Sequence, residues 1–293
     1  MKKMLIRMAV WLALLTLLNG CGGSGEEVAK SAATPTPAPS NKITILGSTT
    51  LLPVAQKAVD AFHKRKPEIK ITLTGGGSLA GINGLVDGYA DIALASREMK
   101  EEEKAKMKLK RGAPAKETIV AWDGIIPIIH PSNPVKNLTI AQLKDIFTGK
   151  ITDWAQVGGK KGEIIVVSRD ITSGTHEAWA ELVLNNQPVA SSAQEKSSSS
   201  AVLEMVARSP QAIGYDGIGY VEGDNRVKRV TVEGKAATAA SILDKSYKIA
   251  RPLYLFTRDN PSTAVVEFTN FMVGPEGQAL VKEANYVPLS QQP

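Results

Sequence analysis

Two kinds of segment follow one another along the chain. In the short ones, apolar and polar residues alternate; in the longer ones, apolar residues recur every three or four positions. Residues 43–46 and 69–73 have the alternating pattern of strands, whereas residues 51–66 have the spacing of an amphipathic helix, which Pro67 ends. A loop of small and hydroxyl residues, 47–50, separates the first strand from this helix. The repeated order of strand, loop and helix predicts an α/β fold with largely parallel sheets.

The same order continues towards the C-terminus. Thr139 is the predicted N-cap of one helix, and the glycine-rich stretch 214–219 suits a crossing point between two lobes. Further strands are predicted at 91–95, 124–129, 163–167 and 253–256, and further helices at 101–110, 140–147, 176–184 and 201–208, with a short helix ending at Gly88 and a last helix starting at Asn260-Pro261.

Residues 1–20 have the composition of a secretory signal peptide. Basic residues open the segment, and the apolar run from Met8 to Leu18 is too short to span a bilayer comfortably as a permanent helix. The stretch Leu18-Asn19-Gly20-Cys21 resembles a bacterial lipobox, in which the cysteine becomes the lipidated first residue; the alternative is a free or buried thiol. Small residues and proline dominate residues 21–41, which we interpret as the lipid anchor and a disordered linker.

The composition of the chain argues against several classes of function. The chain has 293 residues, of which 43% are apolar and 22% charged, enough for one or two domains with cores. The formal net charge is +6, but Lys2, Lys3 and Arg7 belong to the signal segment, and no dense stripe of basic and aromatic residues favours nucleic-acid binding. Cys21 is the only cysteine in the sequence, which excludes an internal disulfide and a thiol metal cluster.

Several strand-to-helix turns carry the residue types that bind anions. The first N–H groups of a helix lack partners within the helix, and its dipole makes that end positive, so hydroxyls there add donors to an anion site. Arg97 and Arg169 follow two of the predicted strands, and a guanidinium fits a tetrahedral oxyanion with two parallel hydrogen bonds. The hydroxyl residues at these turns are Thr49, Thr50, Ser78, Ser96, Ser173 and Thr175.

Each of these residues also has an ordinary structural explanation. A serine or threonine before a helix is commonly only an N-cap, and Arg97 can equally pair with a surface carboxylate such as Glu101. The pattern Gly75-x-Gly77-x-x-Ala80 matches a dinucleotide-binding fingerprint, but it lies in the second strand–helix turn instead of the first. The combination of turns therefore carries the anion hypothesis, and no single residue does.

The inventory of catalytic groups does not favour an enzyme. The three histidines, His63, His130 and His176, lack the spacing of metal ligands. Ser173 has no evident base partner, and no Gly-x-Ser-x-Gly elbow is present in the sequence. We therefore expect no catalytic residue, no metal and no cofactor.

The same segments resemble the bacterial phosphate-binding proteins of ABC transporters, in their shorter form. The similarity covers the folded body from Lys42 to the C-terminus. Its most specific pieces are Gly47-Ser48-Thr49-Thr50-Leu51-Leu52-Pro53, Gly75-Gly76-Gly77-Ser78, Ala93-Leu94-Ala95-Ser96-Arg97-Glu98, Ser168-Arg169-Asp170-Ile171-Thr172-Ser173-Gly174-Thr175, Pro131-Ser132-Asn133-Pro134 and Asp145-Ile146-Phe147-Thr148-Gly149-Lys150-Ile151-Thr152-Asp153-Trp154.

The resemblance implies a periplasmic-binding-protein-like fold of type II, with two α/β lobes, a hinge and a ligand cleft. We expect residues 42–122 plus 222–293 in lobe one and residues 123–221 in lobe two. It also implies a binding protein, not an enzyme, that captures inorganic phosphate and delivers it to an ABC permease and its ATPase. We expect a monomer in the periplasm or at the cell surface, held to the membrane through Cys21.

The resemblance also implies a set of phosphate ligands and two departures from the family pattern. Family members carry aspartates at the positions of Arg97 and Ile171; these accept a proton from phosphate and so exclude sulfate. Asp170 lies one residue early and is the remaining acceptor candidate. The implied phosphate-binding residues are Thr49, Thr50, Ser78, Ser96, Arg97, Arg169, Asp170, Ser173, Gly174 and Thr175.

Three alternatives stay open at the level of sequence. The same fold can be tuned to another oxyanion, such as sulfate, molybdate or tungstate. The chain can instead be a secreted enzyme of the phosphatase type, although the metal and the base are lacking. A surface lipoprotein that binds other proteins is the third alternative.

Overall fold

The computed structural model describes residues 41–289 of the chain. The predicted signal peptide, the lipidation site at Cys21 and nearly all of the linker 21–41 lie outside these residues and stay predictions. Within the described part of the chain, we find no helix long and apolar enough to cross a membrane.

The first part of the fold repeats strand and helix, as the sequence pattern predicts. A 3-10 turn at Thr49–Leu51 connects the first strand to the first helix. The elements in chain order are β1 (Lys42–Gly47), α1 (Leu52–Arg65), β2 (Lys70–Gly75), α2 (Ser78–Asp87), β3 (Ile92–Ala95), α3 (Glu101–Arg111), β4 (Lys116–Ile129), β5 (Asn137–Leu138) and α4 (Ile140–Phe147).

The second part continues the alternation and ends with two packed helices. Its elements are β6 (Ile165–Arg169), α5 (Gly174–Leu182), β7 (Gln194–Lys196), α6 (Ser199–Arg208), β8 (Ala212–Gly217), α7 (Ile218–Val221), β9 (Lys228–Arg229), β10 (Thr231–Val232), α8 (Ala239–Leu243), β11 (Ala250–Thr257), α9 (Thr263–Val273) and α10 (Pro275–Glu283).

Strand β4 joins two halves of one curled sheet. Its first part pairs antiparallel with β11, and its residues Ile125–Ile129 pair antiparallel with β8. The main strand order is β2-β1-β3-β11-β4-β8-β6-β7. β1 pairs parallel with β2 and β3, and β6 pairs parallel with β7 and β8. The carboxyl ends of the parallel strands in each half therefore point towards the region where the halves meet.

Apolar periodicity explains the elements that flank this region. Ile43 and Ile45 alternate as buried residues in β1, and Phe62 of α1 packs edge-on against Phe268 of α9 with ring centroids 5.3 Å apart. Thr139 caps α4 through a hydrogen bond from the Gln142 N–H, which confirms the predicted N-cap. These packed helices and strands hold the loops at the sheet ends in fixed places.

Four of our element predictions were wrong in part. Strand β4 begins at Lys116, earlier than the predicted residue 124, because the preceding residues pair with β11. Residues 214–217 of the glycine-rich stretch form the end of β8. Ser262, not Asn260, caps α9, and the sheet contains antiparallel pairs as well as the expected parallel ones. Helix α10 was missed because glycine and proline interrupt its apolar pattern.

Candidate functional site

Polar residues from several turns meet in one buried cluster between the two halves of the sheet. Every member is at most 6% exposed, so these groups are shielded from bulk water. We call this group the hydroxyl–arginine cluster; it consists of Thr49, Thr50, Ser78, Ser96, Arg169, Thr175 and Ser199.

Arg169 lies at the end of β6 and reaches across to the first half of the sheet. One terminal nitrogen, Nη2, donates to the Thr49 hydroxyl at 3.2 Å and to the Ser197 carbonyl at 3.2 Å. The other, Nη1, donates to Ser199 Oγ at 3.3 Å, while Nε donates to the Lys196 carbonyl at 3.1 Å. The guanidinium is thus held by backbone carbonyls on one side and offers its terminal nitrogens to hydroxyls on the other.

The start of helix α5 supplies a second set of donors. Ser173 is its N-cap, since its Oγ accepts hydrogen bonds from the N–H groups of Thr175 and His176. The Thr175 hydroxyl lies 2.8 Å from the Thr50 hydroxyl, which belongs to the turn after β1. The Thr175 side chain therefore joins the two halves at the positive end of a helix dipole.

The start of helix α2 closes the cluster from a third direction. Ser78 Oγ accepts the Ser96 N–H at 3.0 Å and lies 3.3 Å from the Ser96 hydroxyl. Ser48 Oγ donates to Ser96 Oγ at 2.9 Å. Gly174 packs directly on these serines, because a Cβ added to it would lie only 2.3 Å from Ser78 Oγ. A residue with a side chain does not fit at this contact.

Arg97 lies beside the cluster, but carboxylates occupy its guanidinium. Nη1 and Nη2 donate to the two oxygens of Glu103 at 2.7 and 2.8 Å, and Nε lies 2.5 Å from Glu177 Oε2. Glu177 belongs to α5, so this ion pair links the two halves of the sheet. The open alternative, pairing with a carboxylate, describes Arg97 better than direct contact with an anion, although its partner is Glu103 and not Glu101.

Asp170 is engaged in its own loop. Its Oδ1 accepts the Thr172 N–H at 2.8 Å and the Thr172 hydroxyl at 2.5 Å. Ile171, which takes the place of a family aspartate, is 70% exposed. The loop after β6 thus presents Arg169 to the cluster and directs part of the Asp170 carboxylate towards its own backbone.

A buried ion pair that sequence reasoning missed supports the cluster. Arg251 of β11 donates through Nε and Nη2 to Asp123 Oδ2 of β4, at 3.0 and 2.9 Å. The same guanidinium donates to the carbonyls of Ser96 and Gly174 and to the Thr175 hydroxyl. The pair fixes two turns of the cluster, the one at Ser96 and the one at the start of α5, to the two central strands.

Asp216, near the end of β8, is a second buried carboxyl that sequence reasoning missed. It is 1% exposed, and its Oδ1 accepts the Gly217 N–H at 2.8 Å. Its Oδ2 is buried and has no hydrogen-bond partner within residues 41–289. Burial raises the pKa of Asp216 to about 6, against the lowering effect of the nearby Arg169 charge.

We expect this buried carboxyl to make stability depend on pH in a defined direction. An unfolded aspartate titrates near pH 4, so between about pH 4 and 6 the folded protein binds more protons than the unfolded chain. The contribution of Asp216 to the free energy of unfolding therefore falls by about 3 kcal/mol as the pH rises through this range. The charged and titratable groups that act on it are Arg169, Asp123, Tyr215, Tyr220 and Tyr286.

Urea unfolding of the wild type and the Asp216→Asn variant at pH 4 and pH 7 measures this contribution. Because the amide does not ionise, the variant should gain stability relative to the wild type as the pH rises. Burial also raises the pKa of Asp123, which is present in both proteins, so the comparison reports Asp216 together with its interaction with Asp123. An equal stability difference at both pH values would contradict the prediction.

The arrangement as a whole favours a small anion with several oxygen atoms. Hydroxyls and a guanidinium converge from both halves at the starts of helices, and such donors together replace the water around an anion. Among residues 41–289, no group of three or more His, Cys, Asp or Glu side chains is placed to hold a metal ion. The cluster therefore has the chemistry of an oxyanion site.

Comparisons with known proteins agree with this chemistry. A family model described as a PBP superfamily domain matches residues 32–276. Among curated relatives, the phosphate-binding protein PstS of Borreliella burgdorferi is 31% identical over 255 residues, which covers 84% of this chain and 89% of that protein. PstS of Bacillus subtilis is 27% identical over 295 residues, covering 99% and 95% of the two chains.

Solved structures give the same result. A phosphate ABC transporter substrate-binding protein from Clostridium perfringens, solved with bound phosphate and described as putative, has a TM-score of 0.79 and 37% identity. The comparison covers 85% of this chain and 99% of that one. An ABC-type phosphate transport receptor from Vibrio cholerae has a TM-score of 0.69 and 32% identity, with coverage of 84% and 99%.

Proposed function

Because this chain belongs to the family of phosphate-binding proteins that serve ABC transporters, we propose that it captures inorganic phosphate and hands it to a membrane importer. It has the two-lobed periplasmic-binding-protein fold of that family, and it is a solute-binding protein, not an enzyme. The observation that carries the proposal is the convergence of Thr49, Thr175 and Arg169 from both halves of the sheet in one buried cluster.

The proposed ligand set follows from the contacts within and beside the cluster. Ser199 joins the set because Arg169 and Thr49 both contact its hydroxyl, whereas Ser96, Arg97 and Asp170 support the set through their hydrogen bonds and ion pairs. The residues that we propose to contact phosphate are Thr49, Thr50, Ser78, Arg169, Ser173, Gly174, Thr175 and Ser199.

Arg97 has a different proposed role, which is to hold the lobes together around the ligand. Its ion pair with Glu103 lies within the first half of the sheet, and its pair with Glu177 reaches α5 in the second half. Both carboxylates and the guanidinium are largely buried, so water weakens this pair less than a surface pair. Opening of the cleft would break the contact between Arg97 and Glu177, and closure would form it again.

We propose lobe boundaries at the two strands that cross between the halves. The pairings support residues 42–122 and 250–289 as lobe one and 123–249 as lobe two. Strand β9 pairs with Ile128 and Ile129, and β10 pairs with β5, which favours the second lobe for residues after 221. We therefore propose the second crossing at the start of β11 instead of at the boundary predicted between 221 and 222.

The cellular role that we propose follows the family. The protein works outside the cytoplasm as a monomer, tethered through lipid on Cys21, and docks in its ligand-bound form on an ABC permease driven by its ATPase. Hinge motion about β4 and β11 admits phosphate to the cleft and then buries it. The lipobox-like stretch and the linker 21–41 support the tether.

Isothermal titration calorimetry on the purified protein tests the proposed function. After exhaustive dialysis to remove bound anions, we expect one phosphate per chain to bind, with sulfate, molybdate and tungstate binding far more weakly. Stronger binding of one of those anions would assign the protein to that oxyanion instead. Absence of binding by all of them would contradict an oxyanion role altogether.

The close contact at Gly174 gives a steric prediction. In Gly174→Ala the added methyl group meets Ser78 Oγ at 2.3 Å and Ser96 Oγ at 2.8 Å, so the turns must separate. We expect phosphate affinity in calorimetry to fall by at least roughly tenfold, since each 1.4 kcal/mol of lost contact is a factor of ten.

Gly162→Ala is the matched control, because its new methyl group meets mainly the end of the flexible Gln211 side chain. We expect this variant to bind phosphate as the wild type does. Wild-type affinity in Gly174→Ala would show that the turn at α5 does not approach the ligand.

A further inference from the structure

Discrimination between phosphate and sulfate requires a hydrogen-bond acceptor in the site. Above pH 7 most inorganic phosphate is the dianion HPO₄²⁻, which carries one proton, whereas the sulfate dianion carries none. Hydroxyls can donate or accept, and a guanidinium only donates, so a site made of these groups binds both dianions. A buried carboxylate accepts the phosphate proton and repels sulfate, which has no proton to offer.

The predicted acceptor, Asp170, is poorly placed for this task. Its Oδ1 already accepts two hydrogen bonds from Thr172, and its loop neighbour Ile171 is 70% exposed. Arg97, which stands where family members carry an aspartate, is positively charged and held by Glu103 and Glu177. The acceptor has to come from another element of the fold.

The end of β8 runs along the hydroxyl–arginine cluster. The Tyr215 hydroxyl lies 3.0 Å from Ser168 Oγ and accepts a hydrogen bond from the Arg169 N–H. A Cβ added to Gly217 would lie 3.0 Å from Cγ2 of Thr50. Asp216 lies between these two residues, so its backbone is fixed at the edge of the cluster from both sides.

One oxygen of the Asp216 carboxyl is free to accept a hydrogen bond from a ligand. Its Oδ1 accepts the N–H of the next residue, and its Oδ2 is buried without a hydrogen-bond partner among the described residues. An orphaned buried acceptor is destabilising unless a ligand satisfies it. The positive charge of Arg169 and the hydroxyl of Ser199 both lower the pKa of this carboxyl, and both residues belong to the proposed ligand set.

We infer that Asp216 accepts the proton of bound hydrogenphosphate through Oδ2 and is the residue by which this chain rejects sulfate. The inference rests on the proposed function, since it assigns a selectivity residue to the same site. With Asp216 ionised, HPO₄²⁻ donates its proton to Oδ2 in a hydrogen bond while its other oxygens face Arg169 and the hydroxyls. Sulfate in the same place has only unprotonated oxygens, and the one that faces Oδ2 is repelled by the negative carboxylate.

Competition calorimetry with Asp216→Asn at pH 8 tests this assignment, because phosphate and sulfate are then both dianions. The amide oxygen is a weaker acceptor and the amide nitrogen is a donor, so phosphate affinity should fall and sulfate affinity should rise. We expect the ratio of the two affinities to fall by at least roughly tenfold. Asp170→Asn tests the other acceptor candidate in the same way and should leave the ratio within a factor of about three.

A role of Asp216 only as counter-ion to Arg169 predicts a different result. Removal of its charge would then strengthen the binding of both dianions by the same factor and leave their ratio unchanged. That outcome would overturn the inference, as would a loss of selectivity in Asp170→Asn but not in Asp216→Asn. If the wild type binds phosphate and only the ratio test fails, the proposed function stands and the assignment of Asp216 does not.

A change of ligand tests the same point on the wild-type protein and does not depend on the folding of a variant. Monofluorophosphate, FPO₃²⁻, has nearly the shape of hydrogenphosphate and the same charge at pH 8, but fluorine replaces the hydroxyl group. A site that requires a ligand proton should bind it at least roughly a hundredfold more weakly than phosphate. Equal affinity for the two dianions would show that no protein group accepts the phosphate proton.

Discussion

In the Arg169→Ala variant, we expect phosphate binding to be lost or nearly so. Arg169 is 1% exposed, and its terminal nitrogens point towards Thr49 and Ser199 in the middle of the cluster. Removing the charged donor from a buried anion costs on the order of 2–5 kcal/mol. The dissociation constant measured by calorimetry should therefore rise roughly thirtyfold to several thousandfold.

Two further variants separate the charge of Arg169 from its shape. Arg169→Lys keeps the positive charge but loses the planar fork, so we expect an affinity between those of the wild type and the alanine variant. Arg208→Ala is the matched control, since this arginine is exposed and pairs with Glu204 on the surface of α6. Unchanged phosphate affinity in Arg169→Ala would show that the cluster is not the binding site.

The second large effect concerns stability. In Asp123→Ala, the Arg251 guanidinium keeps its burial, at 4% exposure, but loses the carboxylate that neutralises it. Breaking one partner of a buried ion pair costs roughly 3–5 kcal/mol, because the remaining charge stays away from water. We expect the free energy of unfolding in urea to fall by about that amount.

A surface pair and a double variant make this prediction specific. Glu267→Ala removes the partner of Lys66 in a half-exposed pair and should change stability by less than about 1 kcal/mol. The double variant Asp123→Ala with Arg251→Met should recover part of the loss, since no uncompensated charge remains. If Asp123→Ala were as stable as the wild type, Arg251 would have to find another partner in the core.

The strand-to-helix turns could be predicted from sequence because their chemistry is local. Thr49, Ser78 and Thr175 each lie at the start of a helix or 3-10 turn, a few residues after a strand, so short-range patterns identify them. The structure brings these three turns together, because β1 and β2 end at one carboxyl edge in the first half and β6 ends in the second half, where the two halves meet. That they bind phosphate remains a proposal.

The charged residues on the strands could not be predicted in the same way. Asp123, Asp216 and Arg251 each stand in a buried strand whose neighbours are mostly apolar or small. Their roles depend on partners far away in sequence; Arg251 and Asp123, for example, are 128 positions apart. The sequence offered one signal for these residues, which is a single charge inside an apolar strand. Such a charged group is rarely buried without a partner.

Ser199 and Arg97 show two ways in which short stretches of sequence give a wrong prediction of ligand residues. Ser199 belongs to a run of serines whose sequence resembles an ordinary linker, yet it begins α6 and its hydroxyl contacts both Thr49 and Arg169. Arg97 has the position and charge of an anion ligand, yet Glu103 and Glu177 hold its guanidinium. In both cases the deciding contact is made by residues from another element.

The most direct test of the proposed site is a crystal structure of the protein grown with arsenate, which has the shape and charge of phosphate and scatters X-rays anomalously. We predict one strong arsenic peak whose surrounding oxygen atoms lie within hydrogen-bonding distance of Arg169, Thr49 and Ser78. A peak elsewhere on the molecule, with these side chains bonded only to one another as before, would contradict the location of the site.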